Sequence, residues 1–536
     1  MMRYDHIVVG AGAAGCVLAG RLTENPAIRV LLLESGSERR SPLLDIPAAE
    51  TVLMGNPKYD WCFETDADPT VLGRSVRIPR GRLLGGSNAI NGMIFVRGQR
   101  EDYDDWERLG NPGWSWEGVL PYFRSMERVH GIEGAGRGRS GPISVGPPRD
   151  RDELTDAFLA AAVKAGYQEN PDYNSGDQEG FGYYQVNHEG GRRSSAAGTY
   201  LKDARRRPNL TLITDAHVTA LTFEGTRCTG VNYRQGGTEH SAGCGREVIV
   251  SAGAVQSPQL LELSGIGSAD VLGQAGVPVV HHLPGVGENF RDHFAARLRW
   301  RVRRPITFNE RSRGLGLARE VAHYLRERRG LLSLPIALGY GFVRTDRSPD
   351  RPDIQFHFAP ASYGAGASRR LDTSPGMTLG VYPLRPESKG SLHIRSRDPL
   401  TAPAIRPRFL DSETDRATLV AGMRIGRRIV EEPALDGYRA FELTPGADVR
   451  TDDELLAYAR EHGDTSYHPV GTCRMGDDPG AVVDERLRVH GVHGLRVIDA
   501  SVMPAMVSGN TNAASLMIGE KGAAMVLEDH KEWARS

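Results

Sequence analysis

Two stretches near the C-terminus carry residue types that move protons and polarise oxygen. The first is Ser466-Tyr467-His468-Pro469-Val470-Gly471-Thr472-Cys473-Arg474-Met475-Gly476. Histidine is the side chain best suited to take up a proton near neutral pH. Pro469 and Gly471 bracket it, and a restricted or bent chain can present the ring. The second is Ser508-Gly509-Asn510-Thr511-Asn512-Ala513-Ala514, where Asn512 can donate to an oxygen within a small, apolar setting. The chain has sixteen histidines, and one alone is usually structural. Asn-rich turns are ordinarily just turns, so neither stretch decides the chemistry by itself. Cys473 has no evident basic partner to make it a thiolate and reads as structural.

Such groups need a scaffold, and the N-terminus supplies its first unit. Tyr4–Val9 is a short, mostly apolar run, as expected for a strand buried on both faces. Gly10-Ala11-Gly12-Ala13-Ala14-Gly15 follows at once. Its glycines permit a tight turn, approach of backbone to a pyrophosphate, and packing of helix on strand. A small-residue helix, Cys16 to Leu22, points its N-terminus at the phosphates. Arg29–Leu33 is a second buried strand, ended by Glu34 about twenty residues beyond the last glycine, where a ribose hydroxyl needs an acceptor. The acid disfavours a 2′-phosphate.

Two further stretches are rich in glycine. In Gly81-Arg82-Leu83-Leu84-Gly85-Gly86-Ser87-Asn88-Ala89-Ile90-Asn91-Gly92, paired glycines let a chain lie flat against a planar ligand, which Asn91 can hydrogen-bond. Gly253 to Gly267 reads as a strand end, a turn, a helix opening at Ser257-Pro258 and a glycine stop. Arg246–Ser251 and Leu495–Asp499 look like strands of the same central sheet. Between them, Ile354–Phe358 and Ser391–Arg395 alternate as half-buried antiparallel strands do. Thr418 to Val430 has helical spacing. Residues 131–141, rich in Gly, Arg and Ser, read as a mobile surface loop.

Composition bounds the class. At 536 residues the chain exceeds one ordinary core. A net charge of -1 implies no basic face, which disfavours nucleic acid or an anionic membrane as a partner. Five scattered cysteines without a CxxC pair suggest neither a disulfide framework nor a zinc site, and no metal is expected. No apolar stretch reaches membrane-spanning length. The first strand leaves no room for a signal peptide, so a cytoplasmic setting is expected.

With the Gly81–Asn91 and Gly253–Gly267 stretches in this order behind the first unit, the chain resembles the glucose–methanol–choline oxidoreductases, in particular their choline dehydrogenase-like, FAD-dependent alcohol dehydrogenases and oxidases. That resemblance implies an α/β plus α+β fold: a Rossmann-like FAD-binding domain (1–150, 195–295, 460–536) with an inserted substrate domain on an antiparallel sheet (151–194, 296–459). It also implies FAD. Gly10, Gly12, Ala13, Ala14, Gly15 and Glu34 would hold the ADP half, and Val218 would reach the adenine through its backbone. Gly85, Gly86, Ser87, Asn88, Asn91, Gly92, Met93, Asp499, Ala500, Asn510 and Thr511 would hold the flavin and ribityl half. Some members bind FAD covalently through a His just before Asn91. Ile90 stands there in this chain, so a non-covalent cofactor is expected.

His468 matches the family's catalytic histidine. Asn512 is taken as the second member of the pair, which is His or Asn. The implied reaction converts a primary alcohol to an aldehyde, with His468 taking the hydroxyl proton, Asn512 holding the oxygen and hydride passing to flavin N5. Oxygen or another acceptor takes the electrons. Gly330–Leu338, which contains no acid, is expected to line an apolar pocket that suits an aliphatic or aromatic alcohol. Tyr467 and the Lys58–Phe63 segment are expected to form an aromatic wall. Choline is the competing substrate. Lyases and light-driven decarboxylases on the same scaffold are the competing class.

Overall fold

Two seven-stranded sheets organise the computed structural model, which describes residues 3–38, 41–134, 136–363 and 370–533. The first sheet contains the N-terminal unit. Arg3–Val9 lies between Val30–Leu33 and Thr238–Val250, with Leu210–Ile213 beyond Val30–Leu33, all parallel. All four residues of Val30–Leu33 are buried, which explains a continuous apolar run. The long strand Thr238–Val250 changes partner along its length. Its first half pairs antiparallel with Arg227–Gln235, and its end pairs parallel with Leu495–Val497. The C-terminal segment thereby returns to the sheet that the N-terminus began.

Helix Ala13–Leu22 is sandwiched between this sheet and the C-terminal helix Asn512–Trp533. Glycine makes both contacts possible. A Cβ on Gly15 would lie 1.9 Å from the Gly10 carbonyl oxygen, and one on Gly519 would lie 3.0 Å from Ala14 Cα.

The second sheet is antiparallel throughout its main path: Arg439–Thr444, Phe294–Val302, Gly376–Pro383, Ile354–Ala359, Gly339–Val343 and Gly180–Tyr183. One face is a core. Leu298, Trp300, Phe356, Leu379 and Val381 pack with Met423 and Ile429 of helix Glu413–Glu431. The alternating positions Arg297, Arg299, His357, Thr378, Gly380 and Tyr382 face a cavity instead. Period-two alternation thus places apolar groups on one side and polar groups on the other.

Three local readings change. The helix expected at Ser257-Pro258 begins earlier and spans Gly253–Leu263, with Pro258 inside it. Pro258 cannot donate to the Ala254 carbonyl, which accepts instead from Thr472 Oγ1 at 2.7 Å. Ser391–His393 does not join the large sheet; it pairs with Ala404–Arg406 in a separate ribbon. The expected surface loop at 131–141 turns inward at Arg137, whose buried guanidinium pairs with Glu127 and Asp172. Ala135 of that stretch lies outside the described residues. No helix among the described residues is long and apolar enough to cross a membrane.

Candidate active site

A cavity of about 900 Å³ runs between the two sheets. Its size is near the upper end of ordinary small-ligand pockets. Toward one end it meets the Gly10 turn and Glu34; toward the other it meets His468 and the polar face of the antiparallel sheet.

At the first end the glycines make a tight, closely packed turn. Gly10 has φ +97°, and a Cβ there would meet the Ser251 carbonyl at 2.6 Å. Helix Ala13–Leu22 starts at Gly12 with no side-chain cap, so its first amides remain for a ligand at the cavity wall. Glu34 accepts from the Ala11 amide at 2.8 Å and the Gly36 amide at 2.7 Å. Burial pushes its carboxyl up to about 7 in spite of those bonds. Val218 lines the cavity beside His217, which hydrogen-bonds Ser35 Oγ at 3.0 Å.

The middle of the cavity is walled by Gly86, Ser87, Asn88, Asn91, Gly92 and Met93. Gly86 stands against Gly12: a Cβ at Gly86 would come within 2.9 Å of Gly12 Cα. Asn91 Oδ1 accepts from the Met93 amide and from Arg193 Nη1, which leaves its amide nitrogen for a ligand. Ile90 offers only carbon atoms to the cavity and packs on Leu53 and Leu83. Asp499, which also lines the cavity with Ala500 and Thr511, holds the start of helix Gly253–Leu263. It accepts from the Gly253 amide at 2.8 Å and Ser257 Oγ at 2.5 Å. Gly15 and Gly85 do not line the cavity. Gly15 packs helix on turn, and the Gly85 amide donates to the Ala11 carbonyl at 2.7 Å.

His468 is buried at the far end, and its hydrogen bonds fix its tautomer. His293 Nε2 meets the Leu384 carbonyl at 2.8 Å, so that nitrogen carries the proton. His293 Nδ1 is then an acceptor, and His468 Nδ1, 3.0 Å away, donates to it. His468 Nε2 is left with its lone pair, to which Asn510 Nδ2 donates at 3.0 Å. Burial, with His293, His357 and Arg80 nearby, holds the His468 imidazole well below its ordinary pKa, in its neutral form. The backbone before it is unusual: Tyr467 has φ +66°. Buried Asp292 pins this turn, accepting from the His468 amide at 2.8 Å and from Thr465 Oγ1. Arg80 Nη2 holds the Tyr467 carbonyl at 2.6 Å.

The geometry exchanges the two asparagines. Asn510, expected on the cofactor, bonds His468. Asn512, expected beside His468, accepts from Asn88 Nδ2 at 2.8 Å, while Asn88 Oδ1 takes the Ala196 amide at 2.6 Å. These bonds turn Asn512 Nδ2 outward; it is buried without a partner among the described residues, on a residue that lines the cavity. The position of Asn512 at the first turn of helix Asn512–Trp533, two residues after Asn510, explains the different direction. Gln355 joins the network by donating to Asn510 Oδ1 at 3.3 Å and accepting from Tyr382. His357 Nε2 meets Tyr382 at 2.9 Å.

Asp292, His293, His357, Tyr382 and Arg80 were not legible as site residues. They come from separate strands and loops, and none has a diagnostic spacing. The expected aromatic wall does not form as such. Trp61 lies against His217, with ring centroids 5.7 Å apart, and under Arg82, 4.5 Å from the ring centre. Tyr467 is at the His468 end. Of Gly330–Leu338, Pro335, Ile336 and Ala337 line the cavity, while Leu331, Leu334 and Leu338 pack with Phe308. Burial raises the Cys473 thiol well above its ordinary range, in keeping with a structural role.

The chain matches the GMC oxidoreductase family over residues 4–295 and 386–519. It is 40% identical over 532 residues to an alcohol dehydrogenase [acceptor] of Pseudomonas putida, covering 98% of this chain and 96% of that protein. It is 42% identical over 539 residues to human mitochondrial choline dehydrogenase, covering 99% and 91%. Among solved structures it is similar to pyridoxine 4-oxidase from Mesorbium loti, with a TM-score of 0.89 at 31% identity over 98% of this chain and 99% of that one. It is also similar to a variant of Aspergillus oryzae formate oxidase, with a TM-score of 0.93 at 26% identity over 99% of both chains. From these matches, and from a fold that pairs a Rossmann-type sheet with an antiparallel one across a shared cavity, the chain belongs to the GMC oxidoreductase family of FAD-dependent oxidoreductases acting on CH–OH groups.

Proposed function

We propose that this protein oxidises a primary alcohol to an aldehyde, with His468 as the proton acceptor and Asn510 as the group that holds the oxygen. The observation that carries this reading is the neutral His468 Nε2, its lone pair met by the Asn510 amide in a cavity suited to FAD. An alcohol hydroxyl entering between the two would take the place of the Asn510 amide at the Nε2 lone pair and leave that amide free to donate to the alcohol oxygen. Nε2 takes the hydroxyl proton, and the amide N–H steadies the negative charge that develops on oxygen. His293 keeps the ring oriented through Nδ1, so little rearrangement accompanies the transfer. The bound FAD supplies the acceptor for hydride from the carbinol carbon.

The uncapped helix start at Gly12, the Gly10 and Gly86 cradle and Glu34 fit the ADP half. Asn91, the unpartnered Asn512 amide and Asp499 fit the ring end. Ile90 has no nucleophilic atom, so FAD is held without a covalent bond at this position. Pro335–Ala337 give the alcohol an apolar strip, and oxygen or another acceptor is the expected partner that takes the electrons. Anaerobic mixing of the yellow protein with an alcohol panel tests the reading. Bleaching of the flavin in the dark, and release of all flavin on denaturation, are expected. A flavin that no alcohol bleaches, or that turns over only under illumination, would favour the lyase or decarboxylase class instead.

A further inference from the structure

The sheet face that floors the cavity carries cations. Strand register arranges it in rows. Gln355 lies opposite Tyr382, His357 opposite Gly380 and Ala359 opposite Thr378. Arg297 continues the second of these rows and Arg299 the third. The Gln355–Tyr382 row meets the reaction centre, because Gln355 bonds Asn510 and the Tyr382 ring lies 6.2 Å from that of His468. Each further row is two residues, about 7 Å, along the strands. Gly380 has no side chain, which leaves open space between Arg297 and His357.

Arg299, partly buried, has no acidic partner among the described residues, whereas Arg297, equally partly exposed, is paired with Asp464. Among the described residues Arg299 bonds only neutral groups, Thr444 Oγ1 at 2.9 Å and the Tyr363 carbonyl at 2.8 Å. Arg74, also on the cavity wall, donates to the carbonyls of Arg460 and Gly463. Among the described residues three acids line this part of the cavity, and one of them, Glu64, is paired with Arg77. Asp464 lies 3.6 Å from Arg297, and Glu461 has a side chain 65% exposed to water. Among the described residues, Arg74, Arg77, Arg297 and Arg299 therefore outnumber Glu64, Glu461 and Asp464 by one on this part of the wall. The wall segment Gly330–Leu338 adds no acid.

We propose that Arg297 and Arg299 form an anion subsite, and that the alcohol oxidised here carries a carboxylate at the end away from its hydroxyl. This rests on the alcohol-oxidation reading above and names the substrate class for it. A guanidinium matches a carboxylate in shape and charge, and such bonds are stronger than neutral ones. The hydroxyl lies at His468 and Asn510, the apolar body along Pro335–Ala337, and the carboxylate one to two rows away, about 7–14 Å along the sheet. A quaternary ammonium in the same place meets two guanidiniums.

The test uses matched pairs on the FAD-loaded protein: 4-(hydroxymethyl)benzoate against benzyl alcohol, and 6-hydroxyhexanoate against 1-hexanol, with choline as a third arm. Anaerobic flavin reduction gives an apparent Kd for each. The carboxylate member of each pair is expected to bind about tenfold tighter or more. In Arg299→Met the ratio falls toward one, and in Arg299→Lys part of it returns. A second measurement needs no turnover: 4-methylbenzoate and 4-methylbenzamide are titrated into the oxidised protein, read by the flavin spectrum. Equal affinities within the pairs, tighter binding of choline, or a ratio unchanged in Arg299→Met overturns the subsite. If no alcohol reduces the flavin but 4-methylbenzoate still binds better in an Arg299-dependent way, the oxidation reading fails and the subsite stands.

Discussion

The neutral, oriented state of the His468 ring that suits a base is set by its surroundings more than by its own sequence. The ring is neutral because burial, with His293, His357 and the Arg80 guanidinium nearby, disfavours the imidazolium, and it is oriented because His293 accepts from its Nδ1–H. The loop around His468 was legible in the sequence, since Pro469 and Gly471 follow it closely. Its partner was not. Asn510 and Asn512 share one turn, and nothing in Asn-Thr-Asn tells which amide faces the imidazole. The answer depends on Asn88, 424 residues away along the chain from Asn512, which captures the second amide. Asn510→Ala is therefore expected to lower the limiting rate of flavin reduction by about 10²–10³, the usual effect of removing one oxyanion donor. Asn512→Ala is expected to act mainly on retention of FAD. Stopped-flow reduction and flavin content separate the two, and a reversed order of effects would return the catalytic role to Asn512.

At the scale of elements, the glycine-rich βαβ unit was readable because its first and third glycines have a steric reason. The Gly15 Cβ position is filled by the Gly10 carbonyl, and Gly10 itself needs φ +97°. Ser257-Pro258 misled because serine followed by proline is an ordinary helix start. Here Asp499, remote in sequence, supplies the anion at the true start, and Thr472 satisfies the carbonyl that Pro258 releases. The Thr472 hydroxyl thus joins the loop that carries His468 to helix Gly253–Leu263. Thr472→Val leaves the buried Ala254 carbonyl unpaired and is expected to cost about 1–3 kcal/mol in urea unfolding. A loss below about 0.3 kcal/mol would show that another donor takes its place. The inward turn at Arg137 was illegible for a similar reason. Glu127 and Asp172, which draw that guanidinium into the interior, lie on either side of the stretch and outside it.

The whole molecule is a closed arrangement in which late residues complete early elements. The alternation of Ile354–Phe358 and the apolar runs of the first sheet could be read locally. Which strands share a sheet could not, since Thr238–Val250 takes Arg3–Val9 and Leu495–Val497 as neighbours at once. The same closure buries His6 with neither ring nitrogen bonded among the described residues. Burial, together with His530, lowers its pKa to about 3. An unfolded chain protonates this ring near its ordinary value while the folded one does not, so its contribution to stability is lost as pH falls from about 6.5 toward 3. His6→Leu should then lose less stability than the parent between pH 7 and pH 4.5, by on the order of 2 kcal/mol in urea unfolding. Identical losses would place the acid sensitivity elsewhere. The central claim, that one imidazole and one amide act on an alcohol over a bound flavin, is tested most directly by the anaerobic reduction rate of FAD-loaded His468→Ala. The account predicts retained flavin and a rate lower by about 10² or more with a saturating alcohol. Reduction within a few fold of the parent would contradict it.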